Sequence, residues 1–131
     1  MSLVLDRGVE AKLRRKVRQF EVWMADLGET VGSVQGGERP VLVISNEKSN
    51  IHSGIVIVSP ISAQVHKAKL PTHILVSPLD SEIDRDSFIM FEQHITLSKE
   101  QLKYRMFQMP KHYINRIVNG IKKSTEVFEI F

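Results

Sequence analysis

A chain of 131 residues, 42% apolar and 25% charged, has an ordinary globular composition and enough length for one modest hydrophobic core. It holds no cysteine, which excludes disulfides and thiolate–metal centres and fits a reducing cytoplasm. The formal charge of +3 permits a polyanionic partner without demanding one, no apolar run nears the ~20 residues that span a bilayer, and no secretion signal follows Met1-Ser2-Leu3.

Residues 3–18 read as a basic amphipathic helix: Leu5, Val9, Leu13 and Val17 recur every four positions, and Lys12, Arg14, Arg15, Lys16 and Arg18 lie among them. Residues 1–18 are expected to form an extension and 19–131 the main domain. From Phe20 the period changes. Segments 20–25, 41–45, 54–59, 72–76 and 87–91 are short and rich in β-branched or aromatic residues, and read as five strands. Residues 63–69 read as one helical turn or a mobile loop. Ser98 is a candidate N-cap for a short helix, and Pro110 opens a last helix with Ile114, Ile117, Val118 and Ile121 as its apolar stripe. Short strands with helices at the ends imply a mainly β, α+β fold: a small curled sheet or barrel.

The loop before the second strand carries the chemistry. It reads Gly32-Ser33-Val34-Gln35-Gly36-Gly37-Glu38-Arg39-Pro40 and runs directly into Val41-Leu42-Val43-Ile44. Gly36-Gly37 leaves room for a ligand to approach the backbone. Pro40 restrains its own φ and biases Arg39 toward extended geometry. A guanidinium so held suits a phosphate or carboxylate.

Asp26-Leu27 precedes this loop, and Ile44-Ser45-Asn46 with Asn50 follows. Then come Pro60-Ile61-Ser62, Lys69-Leu70-Pro71-Thr72-His73, Asp86-Ser87 and Glu92-Gln93. Taken in order, these strings resemble the MazF/PemK family of toxin endoribonucleases, from about Phe20 to Phe131. The resemblance implies an SH3-like curled β-barrel with appended helices, similar to CcdB and PemK, and a homodimer. It implies a metal-independent, sequence-selective mRNA interferase that needs no cofactor. Its partners would be single-stranded RNA and a cognate acidic antitoxin. The basic extension would then add non-specific RNA affinity. Two other readings stay open: a non-catalytic toxin of the same fold that binds a protein such as gyrase, and a degenerate relative that only binds RNA or antitoxin.

RNA supplies its own nucleophile, the 2′-hydroxyl, so the protein must stabilise a crowded phosphorane and manage two protons. The resemblance makes Arg39 catalytic, and its planar fork suits non-bridging phosphate oxygens. An arginine pKa above about 12 argues against its acting as a base. Ser62 stands where the family usually has threonine; its hydroxyl can donate to phosphate or relay a proton, or it simply caps the turn at Ala63. Ser33 and Gln35 would meet RNA, with Val34 replacing a common glutamate. Leu70, Pro71 and Thr72 would wall the RNA groove. Glu92 and Gln93 can read base edges, while Glu92 is alternatively the base or a salt-bridge partner that orients Arg39. Trp23 reads as core. Of the five histidines, His73 reads as a satisfied strand residue, and no pair has zinc spacing.

Overall fold

Strand β1 (Glu21–Asp26) is buried on both faces. Val22 points into one apolar cluster, with Leu42, Ile61, Ile89, Phe91 and Phe107. Trp23 and Ala25 point into a second, with Val41, Val43, Val56, Val58 and Leu97. Alternating side chains that are apolar on both faces require cover on both faces, and the sheet supplies part of it by curling. In this computed structural model the described residues are 8, 15–65 and 69–126.

Strands β2 (Glu38–Val43), β3 (Ile55–Ser62), β4 (His73–Val76), β5 (Ser87–Met90), β6 (Ile95–Ser98) and β7 (Leu102–Gln108) complete an antiparallel sheet. Its order is β4-β5-β3-β2-β1-β7, with β6 paired to β3 outside that path, so the sheet is curled and not closed. Strand β3 is the pivot. Its first half pairs with β6, and its last two residues, Ile61 and Ser62, pair with β5.

The sequence reading expects five strands and there are seven. Strand β7 hides because two register shifts against β1, between Val22 and Trp23 and between Met24 and Ala25, break its alternation. Leu102 and Phe107 are both buried at an odd spacing, which no period-2 pattern reports. Strand β6 has only four residues. The expected helix start at Ser98 is a 3-10 turn, Lys99–Gln101, closed by a full capping box between Ser98 and Gln101. A short helix α1 (Glu47–His52) lies where none was expected, with the Asn46 side chain accepting from Ser49 N.

Of the helix expected over residues 3–18, Gly8 is helical and residues 15–18 are not; the rest lies outside the described residues. Val17 is nevertheless buried in the second cluster. Arg15 donates to the carbonyls of Lys99 (2.5 Å), Leu102 and Lys103, and its guanidinium sits 5.3 Å from the Trp23 ring centre. Burial pulls its pKa down. This arginine, expected as a free basic charge, is spent on backbone acceptors. Within the expected turn over 63–69, Ala63–Val65 form a bend and a turn, and 66–68 lie outside the described residues.

The last helix, α2 (Ile114–Ser124), follows a 3-10 turn, Lys111–Tyr113, opened by Pro110. Ile117 is buried and Ile121 packs against the first cluster, whereas Val118 of the expected stripe is exposed. Gly120 is what lets α2 settle: a Cβ there would lie 2.3 Å from Cδ2 of Phe91, a ring with no exposed surface. Gly120→Ala is therefore expected to destabilise. The methyl adds about 1 kcal/mol of helix propensity, but overpacking a core costs about 1–3 kcal/mol. Thermal melting should drop by several degrees, and Phe91→Leu in the same chain should make the loss less than additive. A variant that melts at or above the parent temperature rejects the tight contact.

Candidate functional site

The rim of the sheet near Arg39 is built by three segments: the β1–β2 loop, the loop before β4, and the 3-10 turn Phe91–Gln93. The β1–β2 loop is closed at its base by Gly37 N donating to Gly28 O (2.8 Å) and Leu27 N donating to Gly37 O (2.9 Å). Gly37 has φ 69°, a backbone that side chains disfavour. Gly36 has no room for a Cβ, which would lie 2.6 Å from Thr30 Oγ1 and 2.8 Å from Gly28 O. The Gly-Gly pair is thus set by the loop's own packing as well as by any ligand.

Arg39 is the second residue of β2 and pairs with Ala25. Its Nε donates to Gly36 O at 3.0 Å, which ties the guanidinium to the loop and leaves its terminal amino groups without a partner among the described residues. Burial lowers its pKa. Neither Glu38 nor Glu92 pairs with it. Glu38 binds Lys103 at 2.9 Å.

Ser62 ends β3 and is 8% exposed. Strands β2 and β3 pair as far as Val41 with Pro60, so Arg39 and Ser62 each lie two residues beyond that last pair on their own strand, while Ser62 itself pairs with Phe88 of β5. Residues two apart on a strand share a face, so each keeps the facing of its strand's member of that pair. The Ser62 oxygen accepts from Gln64 N at 3.2 Å, which leaves its hydroxyl hydrogen to donate.

Glu92 and Gln93, adjacent in one turn, hold the two loops. Glu92 accepts from Thr72 Oγ1 (2.8 Å) and from His73 Nε2 (2.8 Å). His73 Nδ1 accepts from Leu70 N at 3.3 Å, so the hydrogen-bond pattern assigns the Nε2–H tautomer. His73 is the buried, satisfied histidine expected from the sequence. Partial burial pushes the Glu92 pKa up, but hydrogen bonds from His73 and Thr72 outweigh it and hold the pKa below the usual glutamate value. That weakens Glu92 as a general base, which works best with a pKa near neutrality. Its observed partners make it an anchor for the loop before β4, not the orienter of Arg39.

Gln93 does the same for the other loop. Its Oε1 accepts from Gln35 N (2.7 Å) and its Nε2 donates to Ser33 O (3.1 Å). The sequence predicted Ser33, Gln35 and Gln93 as separate RNA contacts. The structure joins them in one clamp in which Gln93 positions the backbone of the other two. Of the nine candidate residues, hydrogen bonds join Ser33 and Gln35 to Gln93, and Leu70 and Thr72 to Glu92 through or beside His73, with Pro71 exposed between them; Arg39 and Ser62 lie on the neighbouring strands β2 and β3. The motif residues Ser45 and Asn50 serve structure: Ser45 Oγ donates to Asn50 Oδ1 (2.5 Å), and Asn50 Nδ2 donates back to Ser45 O (2.9 Å).

Gln93→Ala removes two hydrogen bonds, each worth about 1 kcal/mol. It should lower kcat/KM on RNA about tenfold and speed proteolysis in residues 28–36, with the melting temperature nearly unchanged. Lost affinity with unchanged loop protection would return Gln93 to direct RNA contact.

The family of PemK-like, MazF-like toxins of type II toxin–antitoxin systems matches residues 18–125. The chain belongs to this family. The family member Endoribonuclease MazF from Staphylococcus saprophyticus is 38% identical to it over 105 residues, covering 80% of this chain and 88% of that one. The fold agrees at lower identity. MazF from Deinococcus radiodurans superposes with a TM-score of 0.71 at 15% identity, covering 86% of this chain and 99% of that one. An endoribonuclease in complex with its cognate antitoxin, from a mycobacterial species, gives 0.70 at 19% identity, covering 87% and 99%. Among the described residues of this PemK/MazF chain, no three His, Asp or Glu side chains converge as a metal site requires, and no helix is long and apolar enough to cross a membrane.

Proposed function

We propose that the chain is an endoribonuclease toxin that cuts single-stranded RNA by internal transesterification. The observation that carries this is Arg39 at the foot of a clamped glycine-rich loop, its Nε donating to Gly36 O and its terminal amino groups without a partner among the described residues. The 38%-identical relative named Endoribonuclease MazF supports it.

In the reaction the 2′-oxygen forms a bond to phosphorus and loses its proton. The P–O5′ bond breaks, and the 5′-oxygen leaves with a proton. Charge develops on the non-bridging oxygens in between. The free terminal amino groups of Arg39 donate to those oxygens, and the Ser62 hydroxyl adds a neutral donor. Donors fixed before the reaction need no reorganisation when charge appears. Nε held by Gly36 O supplies that fixing. The products are a 2′,3′-cyclic phosphate and a 5′-hydroxyl.

A cytoplasmic location fits an RNA substrate. A homodimer fits the family and would cover apolar side chains left exposed, among them Ile51, Ile55 and Ile57. A cognate antitoxin fits the family, and a solved relative is held in complex with its own; an acidic, flexible inhibitory segment would place carboxylates where phosphates bind.

The deciding experiment incubates the pure protein with a long RNA in EDTA and maps the new ends. New 5′-hydroxyl ends at one recurring short word support the proposal. Intact RNA, or cuts that leave 5′-phosphates, overturn it.

A further inference from the structure

Beyond Arg39 and Ser62 lies a second feature suited to anions. Strand β4 is an edge of the sheet, and between its free edge and α2 runs a groove of about 360 Å³. Lys69, Arg116 and Lys123 line it, and among the described residues no acidic side chain does. Arg116, Asn119, Gly120 and Lys123 recur at helical spacing, so they share one face of α2. Arg116 is planted, with its guanidinium carbon 4.2 Å from the Tyr113 ring centre. Among the described residues, no carboxylate lies within ion-pair distance of any of the three cations. The Arg116 charge does reach Asp80, where it helps hydrogen bonds from Tyr113 and His112 to lower the carboxyl pKa.

The basic charge expected near the N-terminus is partly consumed: Arg15 by carbonyls, Arg18 by Glu47. The groove beside α2 gathers three cations without an ion-pair partner among the described residues. It also adjoins the loop that Glu92 anchors. Pro71 and His73 line it, and they flank Thr72, which bonds Glu92.

We propose that this groove binds backbone phosphates of single-stranded RNA that flank the cleaved word. The inference rests on the ribonuclease reading for the identity of the polyanion. Lysines act as point charges that tolerate many phosphate positions, which suits contacts that carry no sequence information. An acidic peptide is the less suitable occupant. It would need apolar anchors, and Leu75 is the one large apolar side chain exposed in the lining.

The test measures binding of RNAs blocked at the cut by a 2′-deoxy sugar. One is limited to the cut word, and the other carries flanks on both sides. For Lys69→Ala/Lys123→Ala, affinity for the longer RNA should fall about tenfold at low salt, and the salt slope should shrink by about 1.4, near 0.7 per lost contact. Binding of the short RNA should not change. Lys48→Ala, on exposed α1, should leave both RNAs unaffected. Equal losses on both RNAs, or none on the longer one, overturn the groove assignment. So does a loss confined to a polyglutamate probe, which makes the groove a peptide site. A parent chain that binds the longer RNA but never cuts the unblocked form refutes the ribonuclease reading, while the same binding comparison still decides the groove.

Discussion

An RNA whose nucleotide 5′ to the cut carries a 2′-deoxy sugar is expected to bind and remain intact. This is the largest effect anticipated, because the substitution removes the nucleophile and leaves the phosphate contacts. Nothing in the described site offers an easy substitute. The Glu92 carboxylate is occupied by Thr72 and His73, and Ser62 hydroxyl is an unactivated alcohol with no histidine or carboxylate among its hydrogen-bond partners. The measurement is end-mapping of matched all-ribose and singly deoxy strands with equal protein. Cleavage of the deoxy strand at the same bond would mean that water or a protein group attacks phosphorus, and the transesterification chemistry would be wrong.

Arg39→Ala should lower the cleavage rate at least about a hundredfold, the usual scale for removing a main charge stabiliser. The loss should fall on kcat more than on KM if the guanidinium engages the phosphorane more strongly than the ground state. Arg39→Lys should recover little. It restores a charge, but its single ammonium cannot hold Gly36 O and a phosphate in the same planar fork. Because Arg39 is a half-buried strand residue with a single hydrogen bond to a loop carbonyl, the alanine variant should melt close to the parent. Full activity in a folded Arg39→Ala protein rejects the assignment of the site. Ser62→Ala should cost less, since a neutral donor contributes less than a charged one.

The Gly-Gly-Glu-Arg-Pro string was legible as a loop feeding a buried strand because glycine, proline and an apolar run each act on their own backbone. The strands at 41–45, 54–59, 72–76 and 87–91 were legible for the same reason, and each overlaps an observed strand. Strand β7 was not, since bulges formed against β1 shift its buried residues off a simple alternation. Nor was the fate of Arg15, whose acceptors lie more than eighty residues away. Gln93 shows the limit most clearly. As a residue type it suits base edges, and only the approach of residues 33–35 to the turn after β5 turns its amide to holding a loop.

What the sequence determined by itself was the chemistry available: a charged fork at the mouth of a strand, a hydroxyl at the end of another, a glycine-rich loop, and the ordered strings that resemble one toxin family. These are properties of residue type and short spacing. The tertiary structure alone decided which of those groups meet. The β2–β3 pairing brings the strands that carry Arg39 and Ser62 side by side, the turn at Glu92 and Gln93 fastens two distant loops, and Gly120 against Phe91 seats the helix behind that turn. Strand register and close packing depend on partners remote in the chain, and their energies come from surfaces that exist only once those partners are in contact.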